Sequence, residues 1–437
     1  PVWLNACSTS LAVLFRAMTS GVTFVALTGA AVKAVATVGA CAAVGVYAHR
    51  HGLLDGKTQK TIDKLIAEIF LPCLILGKVT PNMSFAGLLD IWPLIAMCGF
   101  VVVFGLGAGA LVSRGLAARW PEAFPKYKGL VMVALAFPNS FSVPITLLWA
   151  IGDHPVLVGV DGQGGDTLRA RVALLFLMSY SVWVLARWSI GYPILSGALS
   201  FAEWRAKALN SPVKACLLST VVGLTWDIAR SAIAPGPKWG DTASLFTPVI
   251  VAVEYAGRCT VPLILFALGA RLDQAIDEVR TVWAWPPSAA GGGTSKAKGA
   301  DPEALSEVVG LSAHDEAHSM PAGKDFATPG IADAPEPDAP LPFVAYPIVL
   351  LLRQVVGPAF SALVACGFLR DICGVHDRVL LMVAMMQGAG PPMINLSVMA
   401  GISGSAEMET SKLLLFTYGA SVITWTLSIS AFLWLLV

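Results

Sequence analysis

The sequence predicts an all-α polytopic membrane protein: ten transmembrane helices arranged as two inverted five-helix repeats, with helices 4 and 9 broken where they cross. Three observations lead there. Hydrophobic residues make up 56% of the 437 positions and charged residues only 13%, whereas soluble domains carry roughly 25% charge. The apolar residues gather into stretches close to the ~20 residues a helix needs to cross about 30 Å of hydrocarbon, with enough sequence for about ten spans. Two of those stretches are interrupted at their centres by proline beside a polar amide. They read Phe137-Pro138-Asn139 through Val143-Pro144, and Gln387-Gly-Ala-Gly-Pro391-Pro392-Met-Ile-Asn395.

The elements follow in order. An N-terminal extension, 1–24, precedes a first span at 25–48. Its apolar run starts at Leu11 and is interrupted by Arg16, which leaves an extra helix over 11–31 open. The run from Leu11 to Ala48 is too long for a signal-peptide core. Lys33 is expected to snorkel to a membrane face. Spans at 61–79, 90–113, 129–151 and 170–190 complete a first repeat, 25–190. Residues 191–211 (Gly-Tyr-Pro-Ile-Leu-Ser-Gly-Ala-Leu-Ser-Phe-Ala-Glu-Trp at their start) predict a helix lying along the cytosolic face. Spans at 212–233 and 245–270 open the second repeat. Spans at 343–369, 378–402 and 411–436 close it within 343–437. Between them, 271–342 is rich in Pro, Ala, Gly, Asp and Glu, holds Gly291-Gly292-Gly293 and has few aromatics. That composition does not bury a core, so a disordered cytosolic loop is expected.

Lys and Arg set the orientation. With both termini outside the cytosol, cytosolic connections carry eighteen basic residues, Arg187, Arg271 and Lys412 among them, against eight on the other side. A net charge of +1 points away from nucleic acid. The eight cysteines are scattered and form no CxxC, so they read as packing residues, with no disulfide or metal framework.

The two breaks carry the chemistry. Proline removes a backbone donor and frees a carbonyl one turn earlier. In hydrocarbon each freed polar group costs several kcal/mol, so such breaks survive where they line a protein cavity. Paired broken spans in corresponding halves point to a transporter's substrate site. Each half-helix N-terminus offers free N–H groups and about half a unit of positive charge. Two of them meeting make an anion cradle without a buried cation. The candidate substrate residues are Pro138, Asn139, Pro144, Gln387, Pro391, Pro392 and Asn395. Gln387 lies two helical turns before Asn395, and Phe137, Phe141 and Met393 are placed to wall an aromatic solute. A faint repeat supports two halves: Leu71-Pro72 echoes Val261-Pro262, and Met132-Val-Ala134 echoes Met382-Val-Ala384. Five spans per half is odd, so the second half is inverted.

These residues resemble the auxin efflux carrier superfamily, and within it the PIN-likes branch and its fungal relatives. The resemblance runs through Gly52-Leu-Leu-Asp55, Phe70-Leu-Pro72-Cys, Pro138-Asn139 with Val143-Pro144, Cys259-Thr-Val-Pro262 and the Gln387-to-Asn395 stretch. Thr417-Tyr418 and Trp425 also fit. It implies a ten-span fold similar to sodium/proton antiporters and bile-acid transporters, with Asn139 and Asn395 facing a substrate carboxylate. It also implies passage of indole-type auxin carboxylates or other small organic anions, and an endoplasmic reticulum location, with the plasma membrane as the other option. One departure is visible: the family's long loop usually joins spans 5 and 6, while here it falls between spans 7 and 8.

Charges within spans are expensive and so are candidates for gating or proton coupling: Glu68, Asp90, Glu254, Arg258 and Arg353. Glu254 and Arg258 are spaced to pair on one helix face. Arg353 matches a basic residue of the PIN-likes. Neither break carries an acid, which points to uniport driven by gradient and potential. Gly105-Leu-Gly107-Ala-Gly109 lies in an apolar span and reads as close helix packing, not a dinucleotide loop. His314-Asp-Glu-Ala-His318 falls in the loop and is no HExxH zinc helix. The expected function is transport, with no enzymatic step and no cofactor. The partners are an organic anion, the lipid bilayer and a second copy through the scaffold spans. The alternatives are an ion-coupled symporter or antiporter for another solute, and a receptor or scaffold that moves nothing.

Overall fold

The computed structural model describes residues 21–122, 124–140, 144, 148, 166–198, 200–232, 247–283 and 341–436. The expected extra helix over 11–31 and most of the 271–342 loop lie largely outside them. Two compact units divide the chain, Pro1–Glu278 with Pro340–Val437, and Val279–Ala339. All that follows concerns the first.

In chain order the α-helices are α1 Gly21–Arg50, α2 Gly56–Leu65, α3 Leu71–Val79, α4 Phe85–Asp90, α5 Trp92–Arg119 and α6 Lys128–Ala136. They continue with α7 Asp166–Ala186, α8 Tyr192–Leu195, α9 Phe201–Ala208, α10 Ser211–Ala232, α11 Thr247–Arg258 and α12 Thr260–Trp283. The last are α13 Ala345–Leu351, α14 Gly357–Leu363, α15 Arg378–Ala389, α16 Asn395–Ser403 and α17 Glu407–Leu435. Among the described residues there is no strand, only an isolated antiparallel bridge between Pro138 and Pro392. Among the described residues, six helical stretches are long and apolar enough to cross a bilayer: Trp92–Arg119, Arg171–Leu195, Ser211–Ala229, Pro248–Gln274, Ala345–Arg370 and Glu407–Leu435. Large apolar side chains such as Val103, Leu111, Val221, Leu363 and Ile423 stand exposed on these helices. Lipid is the solvent that suits them. The chain is an integral membrane protein.

Proline shapes the helices in a repeated way. Pro72, Pro193 and Pro358 each lack the N–H that would bond the carbonyl four residues earlier. Each is preceded by a five-residue π turn, Ile66–Phe70, Arg187–Gly191 and Leu352–Val356. The residue whose carbonyl is freed, Glu68, Ser189 or Gln354, is the third of the five every time. The wider turn absorbs the lost bond without ending the helix.

This corrects two readings. Span 5 does not stop before Pro193: the π turn carries it on to Leu195, and Arg187 is buried inside it, not in a cytosolic loop. Span 7 is not one helix: it breaks at Cys259, and α12 then runs to Trp283, through the first residues expected to be loop. Arg271 and Asp273 on that continuation are buried. The 191–211 segment is helical at Tyr192–Leu195 and Phe201–Ala208, the second helix capped by the Ser200 hydroxyl. The Gly52-to-Asp55 motif is a turn: Gly52 takes φ +70°, Leu54 is buried, and Asp55 caps α2 by accepting from the Thr58 N–H at 2.7 Å. Its hydrogen bonds with Thr58 hold the Asp55 carboxyl below its ordinary range.

The two echoing segments, Leu71-Pro72 and Val261-Pro262, lie near each other. Thr260 donates its hydroxyl to the Phe70 carbonyl at 2.8 Å, and a Cβ on Gly257 would fall 2.8 Å from Leu74 Cα. At the centre, every residue of α15 from Val379 to Ala389 is buried, as are the last residues of α6. A helix apolar all round belongs in the interior, and these two interior helices lead into the breaks.

Candidate functional site: the crossing of two broken helices

The two breaks meet. α6 ends at Ala136 and the chain extends through Phe137; α15 ends at Ala389 and the chain extends through Gly390. The Asn139 N–H donates to the Pro391 carbonyl at 2.7 Å, and the Met393 N–H donates to the Phe137 carbonyl at 3.0 Å. Backbone groups inside each break, which have no helical partner of their own, are therefore paired with the other break, across more than 250 residues of sequence. Gly390 is needed there: a Cβ would sit 2.7 Å from the Asn139 carbonyl oxygen.

A ring of side chains fixes the crossing. Asn139 donates from Nδ2 to the Tyr418 hydroxyl at 2.8 Å, and that hydroxyl donates to the Pro392 carbonyl at 3.2 Å. Trp425 donates from Nε1 to the Ala389 carbonyl at 2.9 Å. Gln387 donates to Ser179 Oγ at 2.6 Å and accepts from Trp183 Nε1 at 3.2 Å, tying α15 to α7.

Two arginines complete the site, and both are withdrawn from solvent. Arg353 donates from Nε to the Gly390 carbonyl at 2.9 Å and from Nη1 to the Leu135 carbonyl at 3.3 Å. It thus joins the C-terminal ends of α6 and α15 (each about half a unit negative). Arg187 donates to the Pro138 carbonyl at 2.7 Å and to Ser140 Oγ at 2.5 Å, and lies over the Trp183 ring at 5.6 Å. Among the described residues, Arg187 Nε and Arg353 Nη2 are buried without a hydrogen-bond partner. The expectation of an anion cradle without a buried cation is overturned: there are two cations. The signal was in the sequence, an arginine five or six residues before a proline within an apolar run, Arg353 before Pro358 and Arg187 before Pro193.

The other expected residues divide. Pro138, Pro391 and Pro392 form the crossing and are buried. Pro144 is buried and helical, while Phe141 and Val143 lie outside the described residues. Asn395 begins α16 and is half-buried, and its side chain has no hydrogen-bond partner among the described residues. Gln387 does not share a helix face with Asn395, because the chain leaves the helix between Ala389 and Asn395 and the spacing argument lapses. Glu254 and Arg258 do pair, at 3.8 Å, with the Arg258 side chain exposed and that of Glu254 half-buried. Glu68 is exposed and accepts from the Ser211 hydroxyl. Asp90 is exposed, far in sequence from either break, on the wall of a cavity of about 540 Å³. That cavity lies at the N-terminal ends of α5, α7 and α15, between Asp90, Arg171, His376 and Asp377 and the apolar Trp92 and Met178. Met178 is next to Ser179 in sequence, which holds Gln387. Among the described residues no cluster of His, Cys, Asp and Glu is arranged to hold a metal ion.

Comparison with known proteins finds transporters among the relatives. An uncharacterized transporter of Saccharomyces cerevisiae is 27% identical over 154 residues, 35% of this chain and 35% of the relative. A second from the same yeast is 22% identical over 147 residues, 34% of this chain and 24% of the relative. An uncharacterized transporter of Schizosaccharomyces pombe is 27% identical over 149 residues, 33% of this chain and 32% of the relative. The matched part thus spans about a quarter to a third of each relative. The family described as membrane transport protein matches residues 30–199, which include the first break, and with these relatives it bears out the resemblance to the auxin efflux carrier superfamily.

Proposed function

We propose that this protein carries small organic anions across a membrane by alternating access at the crossing. The observation that supports this most is the antiparallel pairing of Pro138 with Pro392, flanked by two buried guanidiniums. A cation at the bilayer centre costs about 2.5–3.5 kcal/mol on insertion scales. A chain that keeps two at one spot has a use for positive charge there.

In this reading the chain has ten spans in two inverted repeats. The broken helices and α17 belong to the mobile part, and the segments around α3 and α11 to a scaffold through which two copies associate. The cavity beside Asp90 and Arg171 is the approach from the non-cytosolic side. Among the candidate couplers Glu68, Asp90, Glu254 and Arg258, none touches the crossing. That favours uniport over ion coupling. The resemblance to the PIN-likes favours indole-type carboxylates as solutes and the endoplasmic reticulum as the membrane.

The test is uptake of labelled indole-acetate and of a panel of other organic acids into proteoliposomes. Wild type is compared with Asn139→Ala and Asn395→Ala, after checking that each variant is monodisperse. Loss of flux in both variants is expected. Equal flux in all three would remove the crossing as the site.

A further inference from the structure

The charge balance at the crossing says more than that an anion binds. The two guanidiniums converge on one short stretch of chain: Arg353 reaches the Leu135 carbonyl and Arg187 the Pro138 carbonyl, three residues on. Among the described residues the buried carboxylates are Asp63, Asp273 and Glu409. Asp63 is held by Arg271, Asp273 by His49 and Arg50, and Glu409 by Lys412 and the Tyr346 hydroxyl. None is paired with Arg187 or Arg353.

Helix ends offset only part of the two charges. The C-termini of α6 and α15 together supply roughly one unit of negative charge. The N-terminus of α16 begins at the same crossing and returns about half a unit of positive charge. More than one positive charge is left over, in a medium that does not hydrate it. With about one and a half positive charges left over, a single carboxylate leaves roughly half a unit positive and an anion of charge −2 roughly half a unit negative. The choice therefore falls to the two guanidiniums, each with a buried nitrogen unpaired among the described residues, and a dianion supplies each with a charge of its own.

From this we infer that the preferred solute is a dianion, recognised by Arg187 and Arg353 together through Arg187 Nε and Arg353 Nη2, neither of which has a hydrogen-bond partner among the described residues. The inference rests on the crossing being the transport site, and it narrows the solute class within that reading. Two ligand chemistries present two negative charges within a few ångströms: a short dicarboxylate and a phosphate. Both guanidiniums have the planar fork that fits either.

The experiment compares uptake of labelled succinate, inorganic phosphate and indole-acetate into the same proteoliposomes, at a pH where succinate is doubly charged. Each is also used unlabelled as a competitor of the others. The expected result is a ratio of dianion to monoanion uptake of about ten or more, the effect of one added charge-assisted hydrogen bond. The succinate and phosphate arms tell the two sources apart. Arg187→Gln and Arg353→Gln, checked for folding by thermal melting, should each bring the ratio down by about the same factor. Arg353→Lys should keep part of it, having the charge without the fork.

A wild-type ratio of one or less overturns the inference and leaves the transport reading standing. A high ratio untouched by the variants overturns the assignment to these two arginines. No flux of any tested anion counts against the transport reading itself.

Discussion

The side-chain amide of Asn139 donates to the Tyr418 hydroxyl at 2.8 Å, and the same hydroxyl reaches the Pro392 carbonyl at 3.2 Å. One phenol therefore ties the first break to the second, from a third helix. Tyr418→Phe keeps the ring and removes both bonds. Leaving buried polar groups without this partner costs about 1–3 kcal/mol. A lower melting temperature in detergent, together with reduced anion flux, is expected. A variant as stable and as active as wild type would show that the crossing holds without the phenol.

A second polar link lies away from the crossing. Arg271 of α12 pairs with Asp63 of α2, donates to the Ser397 carbonyl of α16 at 3.0 Å, and has Glu407 at 3.9 Å. Arg271 and Asp63 are both buried. Removing one member of a buried pair strands the other, at about 3–5 kcal/mol, while replacing both is often near neutral. Arg271→Met or Asp63→Leu alone should therefore destabilise strongly. The double variant should recover much of the loss. A double-mutant cycle on thermal unfolding measures the coupling, and additive losses would mean that the pair is no unit.

The glycines of the third span sort by face. A Cβ on Gly105 would strike the Ala136 backbone, and one on Gly109 would fall 2.6 Å from Met132 Cα, whereas Gly107 has open space. α5 thus presses directly on α6, the helix that leads into the first break. Gly105→Ala and Gly109→Ala should each cost about 1–3 kcal/mol by overpacking. Gly107→Ala should stay within about 0.5 kcal/mol. Thermal melts of the three variants check the pattern, and equal losses at all three would contradict the packing.

What was legible in the sequence divides along physical lines. Six of the ten expected spans were legible because apolar length answers to bilayer thickness, and the breaks because Pro138, Pro391 and Pro392 cannot continue a helix. That the breaks pair with each other was suggested by the echo of Met132-Val-Ala134 in Met382-Val-Ala384. Arg187 was misplaced because counting basic residues at span ends treats Pro193 as a helix stop, while a π turn lets the helix pass through it. The same habit put Arg271 and Lys412 in loops although both are buried. The link from Gln387 to Asn395 failed because helical spacing has no meaning across an extended Gly390. The network through Ser179, Trp183 and Gln387 joins α7 to α15 and has no local pattern at all; only tertiary packing reveals it.

Orientation gives the last expectation. Setting aside the buried Arg187, Arg271 and Lys412 leaves fifteen basic residues on the expected cytosolic side against eight, so the bias survives the correction. It places the turn after Arg370, with its exposed Cys373, on the non-cytosolic side. Cys259 is also exposed but sits at the break between α11 and α12, midway through an apolar stretch. In sealed vesicles of known sidedness, a variant keeping Cys373 as its sole cysteine should react with a membrane-impermeant maleimide from the non-cytosolic face alone. A variant keeping only Cys259 should react with a permeant reagent and resist the impermeant one from both faces. Labelling of Cys373 only after the vesicles are opened would invert the topology, and with it the side from which the cavity near Asp90 receives its solute.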